Sequence, residues 1–463
     1  MLTYSLTRRG ADSLYEQLYR AIRADILSGR LCSGEKLPSK RTLAEHLQLS
    51  TVTVKTAYEQ LMAEGYVRSI EKRGYFVDCV QTPTVPVPAA AQPEPPAERS
   101  WFLDLVTNSI AAEDFPLTVW ARRMRQTILE QGTGLLRATP PQGDPALRAA
   151  TAAYLRQFRG MQVEPEQIVI GAGTEVLYTL LVQLLGQERR YAVEDPGYAK
   201  IARIYQSNHA AVEFVPLDEA GLSVEALRRS RADVVHISPN HHYPTGIVMP
   251  IARRQALLSW AQEGPARYIL EDDYDSEFRF TGRPIPTLFS IDRSERVIYL
   301  NTFSKTIAPS IRIGYMVLPK HLLARFHERL GFYSCTVSGF EQHTLACFLA
   351  DGSFEKHLNR MRKRYHQKRD ALIAAIHASA LQGRAQITEQ DAGLHFLLKL
   401  KTTRSDEALR SAAAAQGLRI ATLSEYYRTP TDAPPHVLVV NYSGVETERL
   451  PQAMARLAAA LDG

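Results

Sequence analysis

Four cysteines in 463 residues, Cys32, Cys79, Cys335 and Cys347, are too few and too scattered for a disulfide framework or a C-x-x-C site. Long apolar runs are also missing. No stretch of about 18 apolar residues occurs, so no helix is expected to cross a membrane. The opening residues MLTYSLTRRGADSLY lack the apolar stretch of a secretory signal. These absences lead us to expect a cytoplasmic protein with reduced thiols. A large excess of one charge is missing too: 55 Lys and Arg face 49 Asp and Glu, a net charge of +6. Residues 1–80 hold twelve Lys and Arg against nine Asp and Glu, a mild basic bias that permits an acidic partner. What the chain does have is length enough for two or three domains and 45% hydrophobic residues, sufficient for a large core.

Proline marks a seam. Residues 81–100, QTPTVPVPAAAQPEPPAERS, carry prolines at 83, 86, 88, 93, 95 and 96 and little that could pack. Such a run forms neither a helix nor a central strand and reads as an extended linker. The expected division is therefore a domain over 1–80, a Pro-rich linker over 81–100 and a larger domain over 101–463.

Before the seam, Leu14, Leu18, Ile22 and Ile26 repeat at i+4 as the apolar stripe of an amphipathic helix that Gly29 stops. A short helix is expected after Pro38, and a third between the N-cap Ser50 and the stop at Gly65. Two short strands around Lys72, Arg73 and Gly74 follow. Helix, helix-turn-helix and β-wing is the winged-helix order, in which the second helix of the turn motif enters the major groove of double-stranded DNA. Thr51, Thr53 and Lys55 would then meet base edges. Lys40 and Arg41 would hold phosphate, and the wing residue Arg73 would reach the adjacent groove. The stretch GEKLPSKRTLAEHLQLSTVTVKTAYEQLMAEGYV resembles the winged helix of GntR-type bacterial regulators, except that Thr51 stands where many members carry arginine.

After the seam the period changes. The apolar runs QIVIGAG, RYAVEDP, DVVHISP, YILEDDY, VIYLNTFSK and IGYMVLP alternate with helical stretches, the pattern of an α/β sheet buried on both faces. Ligands in such folds bind beyond the carboxyl ends of the strands. There the sequence offers Lys305 for a Schiff base, Asp272 for a ring nitrogen and Tyr198 for stacking. The GAGTE turn, Gly171 to Glu175, adds helix-start N–H groups for a phosphate. Together they describe a pyridoxal 5'-phosphate site. His241 and His242 have no carboxylate or cysteine at ligand spacing beside them, so no metal is expected. The basic run NRMRKRYHQKRD, 359–370, reads as the solvated face of a helix.

In this order the residues resemble the fold-type I aminotransferases from Trp101 to the C-terminus. That resemblance implies Lys305 as the Schiff-base lysine, Asp272 as partner of the pyridine nitrogen and Tyr274 as the phenol near the ring hydroxyl. It implies Gly173, Thr174, Thr302, Ser304 and Arg312 as the phosphate cradle, and Tyr198 as the stacking ring. Tyr243 takes the place of an amide that aminotransferases direct at the ring hydroxyl, and His241 is its candidate substitute. Winged helix, linker and aminotransferase-like domain in one chain resemble the MocR/GabR regulators. The resemblance implies a homodimeric, pyridoxal-phosphate-dependent transcription regulator that senses the cofactor or a small amino compound. The alternative is a working aminotransferase with an accessory DNA-binding domain. Lys200 replaces an arginine that helps hold the effector in GABA-sensing relatives, and Arg419 and Arg428 are candidates for a second carboxylate contact.

Overall fold

The structure is a computed structural model that describes residues 2–7, 12–79, 100–108, 110–280, 285–389 and 392–462. The Pro-rich run lies, apart from Ser100, outside these residues. Contacts divide the chain into two compact units, Met1–Glu98 and Arg99–Gly463.

The first unit has helices α1 (Leu14–Leu27), α2 (Lys40–Leu47) and α3 (Thr51–Ala63), then strands β1 (Val67–Ile70) and β2 (Gly74–Val77). Leu18 and Ile22 from α1 pack with Leu43, Val54, Tyr58 and Leu61 in one core, all without solvent exposure. Both helices of the turn motif are capped alike. Ser39 Oγ accepts from Thr42 N–H at 3.1 Å, and Ser50 Oγ from Thr53 N–H at 3.0 Å, each satisfying an orphan donor of the first turn. The strands pair antiparallel from Val67 opposite Val77 to Ile70 opposite Gly74. Lys72 turns the wing tip with φ +60°.

In the second unit an eight-stranded sheet runs in the spatial order 168–171, 314–317, 297–302, 268–272, 234–237, 190–195, 211–218, 221–222. Strand 314–317 is antiparallel to both neighbours and 221–222 is antiparallel to 211–218; the remaining pairs are parallel. The apolar runs lack alternation because both faces are covered. Ile298 and Leu300 pack with Leu177, Leu181 and Phe326 of helices on one side. Tyr299, between them, joins a second core with Tyr315 and Phe354. A three-stranded antiparallel sheet, 385–388, 395–400 and 437–441, forms a smaller layer; Leu409 and Leu457, from helices Asp406–Ala415 and Leu450–Leu461, share the core of its Phe396 and Leu398.

The basic run departs from its expected role. It lies on helix Ser353–His377, but several of its cations turn inward. Arg362 donates to the carbonyl of Glu277 at 2.5 Å, Arg364 pairs with buried Asp114, and Lys368 donates to the carbonyl of Ser443 at 2.8 Å. Much of this charge fastens the helix to its own domain, so the expectation of a solvated face fails there.

Candidate functional site

Strands 268–272 and 297–302 lie side by side in parallel, with Asp272 opposite Leu300. Their carboxyl ends open into a cavity of about 710 Å³ whose wall includes Asp272, Tyr274, Thr302, Ser304, Lys305 and Arg312. Gly173, Thr174, Tyr198 and Lys200 line the same cavity. Apart from His241, the residues expected at a cofactor site thus line one cavity, although they come from stretches of chain far apart in sequence.

Lys305 sits three residues past the strand end, where burial lowers the pKa of its ammonium and the Asp275 carboxylate partly opposes that shift. Desolvation favours the neutral amine, the form that attacks a carbonyl carbon. Asp272 is buried and held on one side only. Tyr178 donates to its Oδ2, and His236 Nε2 lies 3.4 Å from the same oxygen. With the Nε2 proton toward Asp272, His236 Nδ1 accepts from the Tyr205 hydroxyl at 2.6 Å. Asp272 Oδ1 is buried with no hydrogen-bond partner among the described residues. A buried carboxylate oxygen in that state is costly unless a donor meets it. A protonated pyridine nitrogen is such a donor.

The anion end is built by backbone. Gly173 has φ +82° and precedes helix Thr174–Leu185. A side chain there would begin 2.9 Å from Arg312 Nη2, so the glycine leaves Arg312 room over the turn. Arg312 itself adopts φ +53°. Thr302 Oγ1 accepts from Ser304 N–H at 3.1 Å and ties the two hydroxyl residues together. Glycine, helix start, hydroxyls and guanidinium fit a phosphate group. These features and the unmet oxygen of Asp272 fit pyridoxal phosphate, which when bound would supply an electron-withdrawing ring joined to Lys305.

Tyr274 hydroxyl stands 3.2 Å from His241 Nδ1, which lies 2.9 Å from Asp275 Oδ2. Space therefore supplies what sequence spacing did not: His241, Asp275 and His395 form a buried cluster. The His241–Asp275 contact is a direct hydrogen bond, which holds the imidazole beside the Tyr274 phenol. His242 is instead 3.4 Å from Glu194. Burial raises the Glu194 carboxyl to about 8 and lowers His242 to about 3, so both groups are neutral at pH 7.

Tyr198 is half exposed and meets Tyr243 edge-on at 6.1 Å. Lys200 is not a free cation: its Nζ contacts Glu175, which also accepts from Arg312 at 3.1 Å. Arg428 lines the cavity, its guanidinium 4.8 Å from the Phe214 ring centre. Arg419 pairs with Asp104 at 3.1 Å and is not among the cavity residues.

On the first unit, Arg41, Thr51, Lys55 and Arg73 are exposed. Arg41 pairs loosely with Glu45 at 3.1 Å and its side chain remains 86% exposed. Lys40 is half-buried, with its Nζ 5.5 Å from the centre of the Tyr75 ring. The Thr53 hydroxyl is 2.8 Å from Ser50 Oγ, an interaction that ties it to the helix cap. Sequence reasoning passed over Val52, which is 67% exposed on the first turn of α3 and offers an apolar surface suited to a thymine methyl. It also passed over Tyr178, His236 and the charge of Glu175. Of these, only the polar His236 inside the apolar run DVVHISP carried a visible signal.

The chain matches the family of aminotransferase class I and II over residues 102–457 and the bacterial regulatory proteins, gntR family, over residues 14–77. The uncharacterized HTH-type transcriptional regulator YdeL of Bacillus subtilis is 36% identical, covering 99% of each chain. The probable rhizopine catabolism regulatory protein MocR of Rhizobium meliloti is 32% identical over 98% of this chain and 94% of its own. The pyridoxine biosynthesis regulator PdxR of Corynebacterium glutamicum is 31% identical over 92% and 91%. Among solved structures, the kynurenine aminotransferase of Pyrococcus horikoshii superposes with a TM-score of 0.68 at 24% identity, covering 79% of this chain and 91% of that one. The fold of the second unit is that of the class I and II aminotransferases. The chain as a whole belongs to the MocR-type family of HTH regulators, in which a GntR winged helix precedes an aminotransferase domain.

Proposed function

We propose that this protein is a DNA-binding transcription regulator whose aminotransferase-like domain binds pyridoxal phosphate through Lys305 and responds to the cofactor or to an amino compound joined to it. The observation that carries the reading is the pairing of a desolvated Lys305 with a buried Asp272 whose Oδ1 lacks a donor. In this reading Asp272, oriented by Tyr178 and His236, holds the ring proton. Tyr274 and His241 receive the ring hydroxyl, and Tyr198 covers the ring face. Gly173, Thr174, Thr302, Ser304 and Arg312 hold the phosphate. Lys200 and Arg428 stand at the cavity wall where an effector's acid group would arrive. Residues 1–80 read double-stranded promoter DNA through Lys40, Arg41, Thr51, Thr53, Lys55 and Arg73; residues 81–100 link them to 101–463. The protein acts in the cytoplasm as a homodimer. The 31% identity to a chain named for regulation of pyridoxine biosynthesis supports a cofactor-linked signal.

The full set Lys305, Asp272 and Tyr274 also favours a second reading, a working aminotransferase. Titration of purified protein with pyridoxal phosphate tests the first claim: a long-wavelength absorption band should grow in wild type and be absent from Lys305→Ala. A band retained by that variant after dialysis would remove Lys305 from its role. Rapid multiple-turnover conversion of an amino acid and 2-oxoglutarate, with no change in DNA binding, would favour the enzyme.

A further inference from the structure

The anion end of the cavity contains a negative charge that a phosphate cradle does not need. Glu175 lies in the first turn of helix Thr174–Leu185. One of its carboxylate oxygens contacts Lys200 Nζ, and the other accepts from Arg312 Nη2 at 3.1 Å. All three side chains line the cavity and are between a third and a half exposed. Arg312 also lies over Gly173, the residue that opens the turn. The carboxylate thus occupies the Arg312 guanidinium and sits in the first turn of the helix, beside the two features that would draw a phosphate, and it holds the Lys200 ammonium next to them.

We propose that Glu175 is a built-in competitor for the cofactor's phosphate, one that weakens its binding so that occupancy follows the concentration of the free phosphorylated aldehyde. A phosphate dianion approaching Arg312 must displace a carboxylate from one of its N–H groups and then remain beside that negative charge. Both effects act against the phosphate and neither acts on the ring or the aldehyde. The cost is moderate because the ion pairs are partly solvated, which suits a ligand that must leave again. A tightly held prosthetic group carries no information about its own supply. A reversibly held one does. This inference rests on the cofactor reading given above.

The test separates the phosphate from the rest of the molecule. Full-length protein stripped of cofactor is titrated with pyridoxal phosphate and, separately, with pyridoxal, following the long-wavelength band in wild type, Glu175→Gln and Glu175→Ala. Both variants should bind pyridoxal phosphate about tenfold more tightly than wild type, while the Kd for pyridoxal changes less than about twofold. Inorganic phosphate should also inhibit pyridoxal phosphate binding at lower concentration in the variants. Unchanged or weaker pyridoxal phosphate binding would mean that Glu175 only orients Arg312, and equal tightening of both ligands would mean that it acts on the ring; either overturns the proposal. Absence of any band in wild type with either ligand would overturn the cofactor reading and this inference with it.

Discussion

The two units keep their polar chemistry in opposite surroundings. In the winged helix the candidate contacts stand mostly in water: Arg41 is 86% exposed, and its ion pair with Glu45 is an i,i+4 pair on a helix surface. In the aminotransferase unit the carboxylates at the end of strand 268–272 are buried, with Asp272 5% and Asp273 2% exposed. Water screens the first set, so each charge contributes little to stability and remains available to a DNA phosphate. Low dielectric amplifies the second set, so each group needs a partner and its removal is felt throughout the domain. One unit presents many weak, salt-sensitive groups and the other a few that are expensive to leave unmet.

The largest effect that would sharpen this contrast lies at Arg159. Its guanidinium meets Asp273 at 2.5 Å, and Asp273 also accepts from Tyr299 and Asn240, each at 2.7 Å. Arg159→Ala strands a buried carboxylate and should lower the stability of the second unit by about 3–5 kcal/mol in urea unfolding. A loss under about 1 kcal/mol would show that the interior is better solvated than its burial implies.

Glu194 gives an effect that is smaller per pH unit and has a defined sign. Its folded pKa is raised to about 8 by burial, above the value of about 4.3 expected of an unfolded chain. Between these values the folded state holds a proton that the unfolded state has released, so stability falls as pH rises, with a slope of about 1.4 kcal/mol per pH unit from this group. Glu194→Gln should flatten the stability profile between about pH 5 and 8. An unchanged slope would mean that the carboxyl is ionised in the fold.

The smallest effect belongs to the exposed unit. Arg41→Ala should leave folding stability within about 0.5 kcal/mol while lowering DNA affinity across sequences and reducing the slope of log K against log salt by about 1. If affinity and slope both stay put, Arg41 is not a phosphate contact.

The fold was legible because periodicity is local. The i, i+4 stripe of α1, the cap at Ser50, and the unbroken apolar strands can each be recognised within a dozen residues. Lys305 and Asp272 were legible for a related reason, as polar residues at or just beyond the ends of apolar runs. Their supports were not. Tyr178 and Asp272 are 94 residues apart in sequence, and His236 and Asp272 are 36 apart; only the parallel pairing of the strands and the helix above them brings the three together. The basic run was misread because its partners are equally remote, Asp114 being 250 residues from Arg364. Val52 carried no polar signal to mark it, and only the phase of α3, which buries Val54, leaves Val52 outside.

We propose that the chemistry of the aminotransferase-like unit changes what the winged helix does to DNA. The most direct measurement is the affinity of full-length protein for a DNA fragment that it enriches from a random pool, taken with and without pyridoxal phosphate and a panel of amines, in wild type and Lys305→Ala. The account predicts a shift of about fivefold or more in wild type, corresponding to roughly 1 kcal/mol of coupling, and none in the variant. Equal DNA affinity in wild type under every condition, alongside sustained transamination, would contradict it.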